Sequence, residues 1–318
     1  MSELPGYPYA EKLAGKTVLI TGGTGFIGSP LVQALRPHCD VMVLSRNKKV
    51  KGVRTVHADI TNISDLLNSI KKTEIDLVFH MAGNTVTPHH TNDLEHFSIN
   101  SLGTKNLLSL SLKKDIEQII YSSSMDVYGD PLSLPVTEDH PTIPLSFYGM
   151  SKMLGEHYCS EFFKQYGQKF TTLRYSYVYG PGLPDYRVIS RFITNVLEEK
   201  PLVLNNAGKS TTDYIFVKDV VASNILAAIN KKSNNQAFNI GTGVETSVKE
   251  LAHHIIKLMG QGTLQYKPDD LNNTKGFFLD ISKAKSRLGF IPVYSLRDGL
   301  NEQVKYMTSH ISKKSGRA

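Results

Sequence analysis

Eight residues near the N-terminus, Thr21-Gly22-Gly23-Thr24-Gly25-Phe26-Ile27-Gly28, limit what this chain can fold into more than any other stretch. They follow a run with strand character at 17–21 and lead into a run with helical periodicity at 26–35. Glycines at this spacing suit a tight strand-to-helix turn. Gly22 permits the turn, Gly25 lets the backbone approach a pyrophosphate, and Gly28 allows the helix to pack closely. The helix N-terminus then presents unpaired N–H groups and the positive end of its dipole to the phosphates. A glycine-rich turn with no ligand is the alternative, and the strand–turn–helix context argues against it.

The rest of the first half repeats this rhythm. Strands are predicted at 17–21, 41–45, 54–57, 77–80, 118–122 and 169–174, and helices at 26–35, 63–71, 97–111 and 148–166. Repeated βαβ units with right-handed crossovers give an α/β fold, a doubly wound parallel Rossmann sheet with helices on both faces. After about Ser176 the alternation is interrupted by Pro181, Pro184 and Pro201. The expected organisation is a dinucleotide-binding domain over 1–176 and a smaller C-terminal domain over 177–318 that mainly binds substrate. A helix at 217–229 and a strand at 237–240 suggest that 213–241 returns to the first domain.

Composition removes several function classes. The 318 residues can bury a full core, and 40% hydrophobic with 20% charged residues is ordinary for a globular chain. Apolar runs such as 17–20 and 76–79 fall far below the roughly 20 residues of a bilayer helix, so no membrane partner is expected. Residues 1–16 contain no apolar signal core, and Cys39 and Cys159 stand far apart with no C-x-x-C pattern; both features imply the cytoplasm and no thiolate metal site. His89-His90 and His253-His254 lack helical ligand spacing, so no metal is expected. The net charge of +7 is scattered, densest at Lys48, Lys49 and Lys51, with a solvated tail around Lys313, Lys314 and Arg317. That distribution argues against nucleic acid and for an anionic small molecule.

The end of the second strand reads Leu44-Ser45-Arg46-Asn47-Lys48-Lys49, where an acidic residue would bind the ribose of NAD. Arg46 and its neighbours suit the 2′-phosphate of NADP, with NAD as the alternative cofactor and a plain basic loop as the structural one. Asp59, in His57-Ala58-Asp59-Ile60, is either an acceptor for the adenine amino group or a helix cap.

Tyr148-Gly-Met-Ser-Lys152 places a phenol and an ammonium four residues apart, hence on one helix face. A neighbouring ammonium and a positive nicotinamide ring lower the phenol's pKa and make it usable as a base. Ser122-Ser123-Ser124 ends a predicted strand at the edge where an open α/β sheet forms its ligand crevice, so Ser124 can hydrogen-bond the reacting hydroxyl. Spacing of this kind alone more often marks an amphipathic helix; the ordered set makes it evidence.

Together these pieces resemble the extended short-chain dehydrogenases/reductases of the nucleotide-sugar epimerase/dehydratase group. The resemblance runs in order through F-H-M-A-G at 79–83, Asn100 with G-T-K-N-L-L at 103–108, S-S-S-M-D-V-Y-G-D at 122–130, V-Y-G-P-G at 178–182, D-Y-I-F-V-K-D at 213–219, F-N-I-G-T-G at 238–243 and D-I-S-K-A at 280–284. It implies that Tyr148 takes a proton from a sugar hydroxyl at C4, that Lys152 holds the ribose and tunes Tyr148, and that Ser124 orients the substrate. Phe26, Ile27, Ile60, Met81, Ala82, Asn100, Ser122 and Tyr175 would line the cofactor pocket. Asn84, Tyr177, Arg187 and Arg191 are the substrate-side candidates. A homodimer through the helices at 97–111 and 148–166 is also implied.

The reaction class rests on Met125 and Asp126. Similar dehydratases carry acidic residues at these positions; a thioether cannot donate a proton, whereas a carboxylate can act as a base. Asp126 is thus either a further catalytic group or a turn residue. The favoured expectation is an NAD(P)-dependent epimerase acting on a nucleotide-linked sugar, ahead of a 4,6-dehydratase or a keto-sugar reductase. An NADP-binding sensor or scaffold is the non-enzyme alternative. Thr212 stands where relatives carry a diphosphate-binding Arg, and Lys267 and Lys275 join Arg187 and Arg191 as cations that can replace its charge.

Overall fold

Strand β1 (Thr17–Thr21) carries four consecutive buried residues, and α1 (Gly28–Leu35) returns the chain to β2 (Asp40–Ser45). The computed structural model describes residues 7, 9–71, 73–85, 93–267 and 276–315, with side chains as far as residue 310. β3 (Arg54–His57), α2 (Ile63–Ser69) and β4 (Leu77–His80) follow. A π-helical turn, His96–Leu102, runs into α3 (Gly103–Lys114), then β5 (Gln118–Ser124), α4 (Phe147–Tyr166) and β6 (Phe170–Tyr175). Beyond these lie β7 (Tyr177–Tyr179), α5 (Val188–Leu197), β8 (Leu202–Leu204), β9 (Thr211–Thr212), β10 (Tyr214–Phe216), α6 (Val217–Ile229) and β11 (Gln236–Ile240). The described chain closes with β12 (Thr246–Ser247), α7 (Val248–Met259), β13 (Leu264–Tyr266), α8 (Ser282–Leu288) and α9 (Leu296–Ser315).

Seven strands form one sheet in the order β11-β6-β5-β4-β1-β2-β3. Every pairing in it is parallel. A parallel sheet needs cover on both faces, and β4 and β5 are buried at every position as that requires. One face packs Leu31, Val32, Val221 and Ile225, from α1 and α6, against Ile20, Phe79 and Leu173. The other packs Leu66, Leu107 and Cys159, from α2, α3 and α4, against Leu19, Val78 and Tyr121. A third apolar cluster holds α5, α7 and α9 together around Ile193, Leu251 and Leu300, away from the sheet. The strand order reverses between β1 and β4, and in open α/β sheets the ligand crevice lies outside the carboxyl ends of the strands at such a point.

The doubly wound α/β expectation stands, with local differences. α1 starts at Gly28 rather than at 26, because Phe26 and Ile27 belong to the turn that leads into it, spanned by the Ser29 N–H donating to the Gly25 carbonyl at 2.9 Å. α2 stops two residues short of 71, and its N-cap is Asn62, which accepts from the Asp65 N–H. β5 continues two residues past 122, since Ser122, Ser123 and Ser124 pair with Leu173, Arg174 and Tyr175. Among the described residues no helix is long and apolar enough to cross a membrane.

Candidate active site

The glycine turn sits against the end of β4. Gly22 has φ +68, and a Cβ there would come within 2.6 Å of the Ala82 nitrogen and the Met81 carbonyl carbon. A Cβ on Gly28 would lie 2.2 Å from the Gly22 carbonyl oxygen, so this glycine serves the closeness of α1 to the turn itself. α1 has no side-chain cap at its N-terminus. A cleft of about 420 Å³ opens beside it, walled by Gly22, Gly25, Arg46, Asp59, Ile60, Met81 and Ala82. Glycine backbone on the wall of a cleft, next to a helix N-terminus, fits a dinucleotide pyrophosphate. Asp59 is on the cleft wall, while its carboxylate accepts from the Thr61 N–H and hydroxyl at 2.9 and 2.8 Å and so shapes the turn before α2.

A second cleft of about 360 Å³ shares Gly22, Gly25, Met81 and Gly83 with the first. Its walls bring together Phe26, Ile27, Gly28, Ser122, Ser124, Asp126, Tyr148, Lys152, Tyr175, Tyr177 and Arg187. Two local devices converge them. The Ser124 hydroxyl caps a short 3₁₀ turn, Met125–Val127, by accepting from the Asp126 N–H at 3.2 Å. Ser146 caps α4 by accepting from the Gly149 N–H at 3.0 Å, and a Cβ on Gly149 would lie 2.4 Å from the Asp126 carbonyl oxygen. The first turn of α4 therefore rests directly on the turn after Ser124.

Electrostatics in this cleft follow burial. Lys152 is buried; its ammonium donates to the Ser122 carbonyl at 2.8 Å and lies 5.3 Å from the Tyr121 ring centre. Burial pushes its pKa down to about 8, opposed by the Glu156 carboxylate. Burial raises the Tyr148 phenol well above its usual value, and the Asp126 carboxylate adds to this. The influences that lower it here are the Ser124 hydroxyl and the Arg187 guanidinium, whereas the sequence reading assigns that effect to Lys152 together with a positive nicotinamide ring. The Lys152 ammonium is turned to the Ser122 carbonyl. Asp126 is also raised by burial, with Arg187 and Ser124 opposing.

Other predicted site residues are placed differently. Asn100 is fully buried and lines neither cleft: its side-chain oxygen accepts from the Asn84 N–H at 2.7 Å, and its amide donates to the Asn84 carbonyl and to the Ser151 hydroxyl, both at 2.9 Å. Asn84 is on the wall of the first cleft and not of the second, and its amide donates to Glu95 at 3.1 Å. The Tyr175 hydroxyl donates to Asn224 at 3.0 Å. Arg187 lies 5.6 Å from the Tyr177 ring centre and 5.7 Å from that of Tyr186, and the Tyr177 hydroxyl is buried. Arg191 and Lys267 are exposed and line neither cleft. His89, His90 and Lys275 lie outside the described residues. Among the described residues no three His, Cys, Asp or Glu side chains gather as a metal site, and His253 binds its own helix through the Lys249 carbonyl.

Two buried polar groups behind the clefts escaped the sequence reading. Glu156, four residues after Lys152, forms an ion pair with Arg174 at 2.6 Å and accepts from the Ser123 hydroxyl at 2.5 Å. His80 stands between Thr21 at 2.7 Å and Thr104 at 2.9 Å, and burial pushes its pKa down to about 3, with the charge of Lys152 adding to this. The only sequence signals were the spacing Lys152 to Glu156 and the position of His80 before Met81.

Comparison with known proteins agrees with this geometry. A Methanocaldococcus jannaschii protein provisionally named a UDP-glucose 4-epimerase is 37% identical over 306 residues, covering 92% of this chain and 99% of that one. The structure of Thermotoga maritima UDP-glucose 4-epimerase with UDP-glucose superposes with a TM-score of 0.85 at 30% identity, over 93% of this chain and 99% of that one. The Bacillus cereus UDP-glucuronic acid 4-epimerase in complex with UDP-glucuronic acid and NAD gives 0.83 at 29% identity, over 92% and 99%. A sequence model matches residues 18–241, which form the glycine turn, the central sheet and most of both clefts, and the chain belongs to the NAD dependent epimerase/dehydratase family.

Proposed function

We propose that this protein epimerises a nucleotide-linked sugar at C4. The observation that carries the reading is the convergence of Ser124, Tyr148 and Lys152 in a cleft continuous with the glycine-turn cleft. Gly22, Gly25 and the N-terminus of α1 would hold the pyrophosphate, and Met81, Ala82 and Tyr175 the rest of the dinucleotide. A bound dinucleotide supplies reversible hydride chemistry at the sugar carbon. Tyr148 removes the proton of the C4 hydroxyl and later returns it, Ser124 orients that oxygen, and Lys152 supplies a fixed positive charge beside the pair. Residues 1–176 with 213–241 would serve the dinucleotide, and 177–318 mainly the substrate, with Tyr177 and Arg187 nearest the sugar.

NADP is the proposed cofactor, supported by Ser45, Arg46, Asn47 and Lys48 on the rim of the first cleft; NAD, present in the B. cereus relative's structure, is the alternative. A homodimer is supported by Leu102, Phe147 and Met150, which stand exposed on the π-helical turn and α4. Two free, buried cysteines accord with a cytoplasmic location. A second reading, 4,6-dehydration, is favoured by one observation: Asp126 lines the cleft with Tyr148, and burial favours its protonated form.

The test is to incubate the protein with a panel of UDP- and other nucleotide-hexoses, with NAD or NADP, and follow product mass. A new isomer of unchanged mass is the expected result. Loss of water would transfer the assignment to dehydration, and gain of two hydrogens to reduction. Tyr148→Phe should lower turnover by about 10²–10⁴, the usual worth of a general acid–base. Turnover unaffected by that change would overturn the assignment of Tyr148.

A further inference from the structure

Beneath the two clefts a chain of buried polar groups runs from the glycine turn to the helix that carries Tyr148. The Ala82 N–H donates to the Thr21 hydroxyl at 3.1 Å, and that hydroxyl is 2.7 Å from His80 Nδ1. His80 Nε2 is 2.9 Å from the Thr104 hydroxyl, which donates to the Asn100 carbonyl at 2.5 Å. The Asn100 amide then donates to the Ser151 hydroxyl, which donates to the Tyr148 carbonyl at 2.7 Å. His80, Thr21, Thr104 and Asn100 are all almost wholly buried, so each polar atom must find its partner here.

Counting hydrogens fixes the direction of every bond. The Asn100 carbonyl can only accept, so the single hydrogen of Thr104 is committed to it. The Thr104 oxygen therefore accepts from His80, which places the ring proton on Nε2. In a neutral ring Nδ1 is then an acceptor, and the Thr21 hydroxyl donates to it while accepting from Ala82. A second ring proton would take from the Thr21 hydrogen the one acceptor that it has among the described residues, which agrees with an imidazole that burial holds neutral.

We propose that His80 is a positioning residue that locks the glycine turn and residues 81–84 in register with the π-helical turn and, through Asn100 and Ser151, with the helix bearing Tyr148 and Lys152. The role rests on the functional reading above. It also explains the π-helical turn: the Thr104 hydroxyl draws the Asn100 carbonyl toward His80, and the Asn100 side chain is left facing Asn84 and Ser151. The two nitrogens have separate duties, Nδ1 toward the dinucleotide cradle and Nε2 toward the catalytic helix.

Amide replacements separate the duties, since an Asn amide oxygen reaches the place of Nδ1 and a Gln amide nitrogen that of Nε2. With Kd for NAD and NADP measured without sugar, and kcat at saturating dinucleotide, His80→Asn should keep Kd within about threefold and lower kcat about tenfold, the cost of one lost buried hydrogen bond. His80→Gln should do the reverse, and His80→Leu should impair both. Thr104→Val, with Thr104→Ser restoring the wild-type rate, tests the Nε2 arm without touching the imidazole. In the wild type, ¹⁵N spectra of labelled histidine should show the Nε2–H tautomer. Equal losses of Kd and kcat in His80→Asn and His80→Gln, or a fall in melting temperature with both constants unchanged, would overturn the role. A wild type that binds dinucleotide but converts no nucleotide sugar would overturn the functional reading instead.

Discussion

Removing the Glu156 carboxylate should cost this fold more than any exposed ion pair could. Arg174 holds that carboxylate through Nη2 at 2.6 Å and Nε at 3.0 and 3.2 Å, with side chains only 9% and 13% exposed. Glu156→Ala leaves a buried guanidinium whose remaining partners are the Tyr128 hydroxyl at 2.9 Å and the Glu138 carbonyl at 3.2 Å, and it also orphans the Ser123 hydroxyl. Breaking a buried pair from one side costs about 3–5 kcal/mol. At about 2 °C per kcal/mol for a chain of this size, the melting temperature should fall by roughly 6–10 °C. Removing both charges, as in Glu156→Leu with Arg174→Met, should cost less than either single change, because no uncompensated ion is left. Thermal and urea unfolding followed by circular dichroism of the four-member cycle gives the coupling energy directly. Single changes that cost under about 1 kcal/mol, or a double variant whose loss is the sum of the singles, would show that the pair is not the buried, mutually dependent unit described.

Three further outcomes follow from the site. Burial lowers Lys152 to about 8, while in the unfolded chain it releases its proton near pH 10.4; kcat/KM should therefore fall as pH rises through about 8. Between those values the unfolded state binds more protons than the folded one, so stability attributable to Lys152 should rise with pH while activity falls, readable as melting temperature against rate. Arg46→Asp should shift the ratio of NADP to NAD affinity toward NAD by at least about tenfold, the scale of a charge-assisted hydrogen bond lost and a repulsion gained; an unchanged ratio removes Arg46 from cofactor choice. Phe147→Glu places a charge on the exposed apolar face of α4 and should yield a monomer by light scattering; a wild type that is already monomeric removes the dimer.

What could be read from the sequence was local in the chain. The glycine turn is one short strand-to-helix connection and the Tyr148–Lys152 pair lies within about one turn of α4, so spacing alone carries their geometry. Contacts between distant segments could not be read this way. His80 meets Thr21 across a strand pairing and Thr104 across a helix, and nothing in a linear pattern marks a histidine as bonded on both sides. Glu156 looks like one more helical carboxylate until β6 supplies Arg174. The three serines ending β5 have weak strand preference, yet β6 pairs with all of them, so tertiary context extends the strand past its predicted end. The motif assigns Asn100 to the cofactor pocket, whereas its buried amide joins the Asn84 carbonyl to the Ser151 hydroxyl.

The strand at the far edge of the sheet has a consequence for how the protein is made. β11 pairs with β6 from Gln236↔Thr171 to Ile240↔Tyr175, but α5, α6 and the intervening strands lie between them in the chain. On a ribosome, the first six strands emerge well before the seventh, and during that interval the outer edge of β6 offers its unpaired backbone groups to any other nascent chain. Closing that edge requires a contact between remote segments, which slows folding. A fragment ending before residue 236 would thus be a sticky half-product rather than a smaller dinucleotide-binding protein, and the step most exposed to misassembly is the arrival of Gln236–Ile240.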